Sequence, residues 1–116
     1  MTIQECYKEM GADYEEVQGR LRTEERIKKF VLKVLNDKSY NLLCDSIAQQ
    51  NIEEAFRAAH TLKGISQNLS LTALYHSSSA LSEKLKAKEY DKEAEEMFEQ
   101  LKKDYAKTVE AIQSLS

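Results

Sequence analysis

Apolar residues recur at every third or fourth position along nearly the whole chain, and no proline interrupts the pattern. At about 100° per residue, this spacing places them on one face of an α-helix. The 116 residues include only three glycines, and the helix-favouring residues Ala, Leu, Glu and Lys are abundant. We therefore expect an all-α fold, an up-down antiparallel four-helix bundle with short turns and short extra N-terminal helices.

The length suggests a single domain over residues 1–116. Residues 1–22 are expected to form a helical cap over one end of the core, with a break at Gly11, and residues 23–116 the bundle. The pattern predicts a kinked helix, or two helices in series, over 23–50, followed by helices over 51–69, 71–86 and 91–114. Ser70 is expected to end one helix and to cap the next.

The segment NIEEAFRAAHTLKGISQNL, from Asn51 to Leu69, is expected to form one helix. Asn51 suits its N-terminus, and Glu54 follows three positions later, as in a capping box. The spacing predicts a buried stripe of Ile52, Ala55, Phe56, Ala59, Leu62, Ser66 and Leu69. His60 falls about 100° from the centre of that stripe, which places its ring at the rim, in or near water.

Gly64 lies one turn after His60, on the same side of this helix. A glycine inside a helix costs about 1 kcal/mol relative to alanine, but here it removes the side chain that would crowd the imidazole. Lys63 brings an ammonium group to the same ring, and Gln67 is a polar residue two turns along. A nucleophilic nitrogen, an open approach and a neighbouring cation suit a phosphoryl group, whose oxygens need compensating charge.

The stretch AHTLKGISQNL resembles the signature of histidine-containing phosphotransfer (Hpt) domains, roughly H-x-L-K-G-x-S-x-x-L-G. The matching residues are His60, Leu62, Lys63, Gly64, Ser66 and Leu69. Ser70 departs from the signature, since the family usually has glycine there. The chain length and the helix order from about Asp13 onward also fit the family.

The resemblance implies that His60 accepts a phosphoryl group, through the outward Nε2, and transfers it to or from an aspartate of a response-regulator receiver domain. It also implies a monomeric phosphorelay protein that serves such receivers and a sensor histidine kinase, often a hybrid one. The first ten residues show no basic signal-peptide region, and the only cysteines, Cys6 and Cys44, are expected to be free thiols, so we expect a cytoplasmic location. No cofactor is expected on this chain, because the family places Mg²⁺ on the receiver. In the dimerisation domains of histidine kinases an acidic residue typically follows the phosphorylated histidine. Here Thr61 follows His60, and no glycine-rich nucleotide-binding loop is present. We therefore expect a phosphohistidine intermediate without ATP binding or autokinase activity.

In this interpretation Lys63 neutralises the phosphoryl group, Gly64 admits the partner, and Gln67 is a candidate to orient the ring. Some family members use a glutamine on the following helix for orientation. The residue that matches it here is Ser82, which has a shorter side chain.

Basic residues dominate the segment 57–88, where Glu83 is the only acid. The basic residues are Arg57, Lys63, Lys84, Lys86 and Lys88. One interpretation is a surface for an acidic partner, in which Arg57 supports the site. The other is a set of ordinary solvated lysines near a helix end, where they favour the helix dipole.

Other kinds of function fit the sequence less well. Metal sites in helical bundles use Glu-x-x-His, but Arg57 and Ala73 precede the two histidines, His60 and His76, at that spacing, so no metal is expected. His76 has no glycine to clear its surroundings and no cation within one turn, so it is interpreted as a structural or surface residue. No apolar run approaches the roughly 20 residues that span a bilayer. The net charge of −3 and the few aromatics do not suggest nucleic-acid binding. A helical adaptor that binds proteins without chemistry stays open as the alternative.

Overall fold

The computed structural model describes residues 1–115, and every regular element among them is helical. The elements are α1 (Ile3–Glu9), α2 (Tyr14–Leu21), α3 (Glu24–Leu32), a 3₁₀ helix (Lys33–Asn36), α4 (Ser39–Ala48), α5 (Ile52–Asn68), α6 (Thr72–Lys86) and α7 (Lys92–Gln113). Helix α4 packs on α5, α5 on α6, and α6 on α7. The predicted all-α bundle with short N-terminal helices is confirmed.

The first helix of the bundle is broken between α3 and α4. The 3₁₀ helix has three residues per turn, so the apolar pattern of α3 rotates away from the core as it continues. Leu35 continues the apolar spacing of Ile27, Val31 and Val34, which predicts that it is buried, but it is 37% exposed. The Asp37 carboxylate accepts a hydrogen bond from the Ser39 backbone N–H at 2.8 Å, just where α4 begins.

The turn between α5 and α6 depends on Ser70, whose φ of 56° lies in the left-handed region. The Leu71 N–H donates to the Ser66 carbonyl at 2.8 Å and the Ser70 N–H to the Gln67 carbonyl at 3.2 Å, which is the Schellman pattern. The prediction that Ser70 caps α6 is wrong, because its hydroxyl donates to Glu16 at 2.8 Å and no side chain caps α6. A left-handed residue favours glycine, which has no Cβ, and this explains the glycine in the family signature.

The two N-terminal helices bind the carbonyl end of α5. The Arg20 guanidinium donates to the backbone carbonyls of Gln67 at 2.7 Å and Asn68 at 2.6 Å. It thus satisfies acceptors that a helix end leaves unpaired, with a favourable charge for the dipole. The buried Tyr7 hydroxyl donates to the Leu69 carbonyl at 2.8 Å. These directional bonds fix the end of the helix that carries His60.

Two tyrosines in edge-to-face contact give a matched test of this anchoring. Tyr7 and Tyr14 have ring centroids 5.5 Å apart at 84°, but only the Tyr7 hydroxyl has a hydrogen-bond partner among the described residues. We expect Tyr7→Phe to lower the free energy of unfolding by about 1–2 kcal/mol, because the Leu69 carbonyl loses its donor. Tyr14→Phe should cause no loss, since it removes a buried hydroxyl without a partner. Urea unfolding of both variants measures the difference, and equal losses would contradict it.

Small side chains form most of the buried face of α5. The buried residues within the helix are Ala55, Ala58, Ala59, Leu62 and Ser66. Ser66 lies against α6, where its hydroxyl is 3.5 Å from that of Ser78. Ile52 and Phe56, predicted to be buried, are only half-buried, because the small residues occupy the centre of the contact and the larger ones flank it. Phe56 therefore lies at the same edge of the helix as His60.

Candidate functional site

Asn51 caps the N-terminus of α5, where its side chain accepts a hydrogen bond from the Glu54 N–H at 3.2 Å. The reciprocal half of the predicted capping box is missing, because the Asn51 N–H donates to the Ser46 carbonyl. The Glu54 carboxylate instead pairs with Arg57 at 2.8 Å, and Glu53 pairs with the same guanidinium at 3.3 Å. Arg57, one turn before His60, thus has its charge balanced by two carboxylates of its own helix.

His60 is exposed on α5, as the helical pattern predicted. Its ring lies over Phe56, one turn earlier, with centroids 5.8 Å apart and an interplanar angle of 28°. No residue within 1–115 forms a hydrogen bond with either ring nitrogen. The imidazole is therefore open to an incoming partner and is contacted by one aromatic ring.

Gly64 and Lys63 are placed on the turn that follows His60. A Cβ built on Gly64 would meet no atom within 4 Å, and its backbone is helical. The glycine is therefore not required by helix packing or by the backbone. Lys63 is half-buried, and it takes part in none of the ion pairs formed in the described part of the chain. One turn of α5 thus combines free space with an unpaired cation.

Gln67 lies farther from the ring than the other predicted site residues. Seven positions along a helix correspond to about 10 Å along its axis, and no hydrogen bond joins Gln67 to His60 in the structure. Its side chain borders a polar groove of about 350 Å³ together with Tyr75 and His76 of α6. Ser82, the residue at the position where some family members have glutamine, is buried.

The basic residues of the segment 57–88 fall into two groups, those that form ion pairs with other described residues and those that do not. Lys84 bridges the turn to α7 by pairing with Asp91 at 2.9 Å and Glu93 at 3.4 Å. The hydrogen bond from Lys84 lowers the pKa of Asp91, and the same bond raises the pKa of Lys84. Lys86 and Lys88 are exposed and, within residues 1–115, have no such partner. Lys84, like Arg57, forms ion pairs with carboxylates of this chain, so its charge is not free to attract a partner.

The remaining reactive side chains lie apart from His60. His76 is exposed on α6, with its ring 5.6 Å from that of Tyr75. Cys6 and Cys44 are both free, and burial raises the pKa of the Cys6 thiol to about 11. No group of three or more His, Cys, Asp or Glu within the described residues could hold a metal ion. No helix in that part of the chain is long and apolar enough to cross a bilayer.

One neighbour of the candidate site was not identified from the sequence. Phe56 was interpreted only as part of the apolar stripe, because its spacing fits that stripe. The available signal was its position four residues before His60, which places the two side chains on the same face. An aromatic residue at that spacing indicates a ring contact as well as a core contact.

A family model described as Hpt domain matches residues 4–113 of the chain. This range extends from the second residue of α1 to the end of α7 and is not confined to the segment around His60. Comparison of the chain with curated proteins found no match, and comparison with solved structures found none either.

Proposed function

Because this chain belongs to the Hpt domain family, whose members transfer phosphoryl groups on a histidine in two-component phosphorelays, we propose that His60 carries the phosphoryl group. The observation that supports this role is the turn of α5 on which His60 is exposed, Gly64 leaves open space and Lys63 has no ion-pair partner among residues 1–115. His76 has a similar exposure but neither of these two neighbours.

The chemistry is a displacement at phosphorus. The Nε2 lone pair of neutral His60 attacks the phosphorus of a receiver's aspartyl phosphate. The P–N bond forms while the P–O bond to the aspartate breaks, and the carboxylate takes the electron pair. In the reverse direction the aspartate attacks and the imidazole leaves. The receiver supplies the Mg²⁺ and the acceptor, and this chain supplies a positioned nucleophile.

The neighbouring residues have separate roles in this proposal. Lys63 compensates the charge on the phosphoryl oxygens, as an ammonium group does in other phosphate sites. Gly64 leaves room for the receiver to bring its aspartate within reach of Nε2. Gln67 and Arg57 lie farther along the same helix, on either side of His60, and contact the partner and not the ring.

The partners are response-regulator receiver domains and a sensor histidine kinase, the two classes with which Hpt domains interact. We propose that the protein acts in the cytoplasm as a monomer and that it does not phosphorylate itself from ATP. The kinase would phosphorylate one receiver, and His60 would then connect that receiver to a second one.

Lys63→Ala is expected to slow transfer from a receiver about tenfold, because a charged hydrogen-bond partner of the phosphoryl oxygens is lost. The lifetime of the phosphohistidine should shorten as well. The free energy of unfolding should change by less than about 0.5 kcal/mol, as for most surface substitutions. Lys103→Ala, which removes an exposed lysine of α7, is the control. If both variants transfer at the wild-type rate, Lys63 has no part in the site.

The proposed function is tested with a receiver domain that carries a ³²P-labelled aspartyl phosphate. Label should move to this protein, be lost in acid and survive in alkali, as expected for a phosphohistidine. Mass spectrometry of peptides kept at alkaline pH should locate the phosphate on His60. A protein that binds receivers of several kinds but never acquires label would instead be a helical adaptor.

A further inference from the structure

We propose that Phe56 is a positioning residue, which holds the His60 ring in the orientation that phosphoryl transfer requires. The inference rests on the proposed function of His60 and adds the means by which its side chain is oriented. It starts from the contact between the two rings, whose centroids lie 5.8 Å apart at 28°.

An exposed histidine on a helix reacts efficiently only if some contact holds its ring in one orientation. Its χ1 angle has more than one allowed value in a helix, and its χ2 angle is broadly distributed. Transfer requires Nε2 to point at phosphorus, with the reacting atoms about 3–3.5 Å apart. A hydrogen bond to the other ring nitrogen often provides this orientation, but His60 receives none from residues 1–115.

The position of Phe56 suits it to this role. Side chains of an α-helix lean towards its N-terminus, so the His60 ring extends over the residue four positions earlier. Aromatic pairs at 4.5–7 Å attract each other, with a strength that favours the stacked rotamer by about two- to tenfold. Phe56 is itself half-buried and packed against the hydrophobic core, so it offers a fixed surface.

The two sides of the His60 ring are therefore unlike. Phe56 supports the side towards the start of α5, whereas the turn that follows has Gly64 and open space. A partner that approaches over Gly64 meets an imidazole that cannot tilt away from it into the preceding turn. This asymmetry distinguishes a positioning role from a core role, because burial alone does not require Phe56 to present a flat ring to His60.

The substitution Phe56→Leu separates the two roles, since leucine keeps apolar burial but removes the ring. We expect the rate constant for transfer at saturating ³²P-labelled receiver to fall about two- to fourfold, with the half-saturating concentration unchanged, because a two- to tenfold preference for one rotamer is lost. Phe56→Tyr restores the ring and should transfer at the wild-type rate. The control is Phe98→Leu, which truncates a buried ring of α7 that contacts Lys102. An unchanged saturated rate in Phe56→Leu would overturn the proposal, as would an equal loss in Phe98→Leu.

Nuclear magnetic resonance measures the orientation of the His60 ring directly, and this orientation would not depend on Phe56 if Phe56 had only a structural role. In the wild type, His60 and Phe56 ring protons should show strong cross-relaxation, and the coupling constants of His60 should indicate one χ1 rotamer. Phe56→Leu should give averaged couplings, and Phe56→Tyr the wild-type values. Averaged couplings in the wild type would overturn the proposal, and this measurement decides it even if Phe56→Leu does not fold.

If no receiver labels the wild type, the proposed function fails on its own, and the resonance data still decide the orientation of the ring.

Discussion

His60→Gln is expected to abolish phosphorylation and to leave the fold intact. The substitution removes the only nitrogen proposed to form the P–N bond, and glutamine offers no comparable nucleophile. Because the ring is exposed and lies beside the half-buried Phe56, the free energy of unfolding should change by about 0.5 kcal/mol or less. Label transfer from a phosphorylated receiver measures the first effect, and denaturant unfolding measures the second.

His76→Gln is the matched control, because His76 is the other histidine of the chain and is also exposed beside an aromatic ring. It should transfer at the wild-type rate. Full labelling of His60→Gln would remove His60 from the mechanism. Unfolding of His60→Gln would mean that the residue supports the core, contrary to its exposure.

Gly64→Gln is expected to slow transfer by about a hundredfold or more while the protein still folds. The new side chain would stand between His60 and the receiver's aspartate, and a displacement of about 1 Å from the reactive geometry can have an effect of this size. Apart from the adjacent residues and the backbone of its own helix, no atom of the described residues lies within 4 Å of a Cβ at this position, so the side chain has room in the free protein. Gly64→Ala should raise the free energy of unfolding by up to about 1 kcal/mol, because alanine favours a helix.

Gly19 provides the control for both substitutions. It lies in α2, and a Cβ there also meets nothing within 4 Å. Gly19→Ala should stabilise the protein in the same way, and Gly19→Gln should leave transfer unchanged. Normal transfer in Gly64→Gln would show that steric access does not explain Gly64. A loss of several kcal/mol in Gly64→Ala would show instead that the helix needs glycine there for packing.

The helices could be predicted because the apolar spacing and the absence of proline act locally, within each segment. That spacing does not show where the type of helix changes or which residues far apart in the chain come into contact. Leu35 continues the spacing of α3, but the change to a 3₁₀ helix turns it outward. Serine is a residue type that often caps the N-terminus of a helix. Ser70 instead adopts a left-handed backbone that ends α5, and its hydroxyl donates a hydrogen bond to Glu16. The partner of that hydroxyl is 54 residues away, so no local pattern contains it.

The candidate site was predictable to a similar extent. Gly64 was informative because a glycine inside a helix opposes local propensity, and the structure has no packing reason for it. The contact of Phe56 with His60 was hidden, because the same residue fits the apolar stripe. The pairing of Lys84 with Asp91 was hidden for another reason, since it depends on how two helices meet across a turn.

The ion pairs of Arg57 and Lys84 have a consequence for the kinetics of partner encounter. Carboxylates of this chain lie within a few ångströms of both positive charges and balance them. A partner farther away than the Debye length of about 8 Å therefore experiences little attraction from either residue. Long-range attraction of an acidic receiver then depends on Lys63, Lys86 and Lys88. The association rate constant should consequently fall only gently with ionic strength, less steeply than five free cations would give.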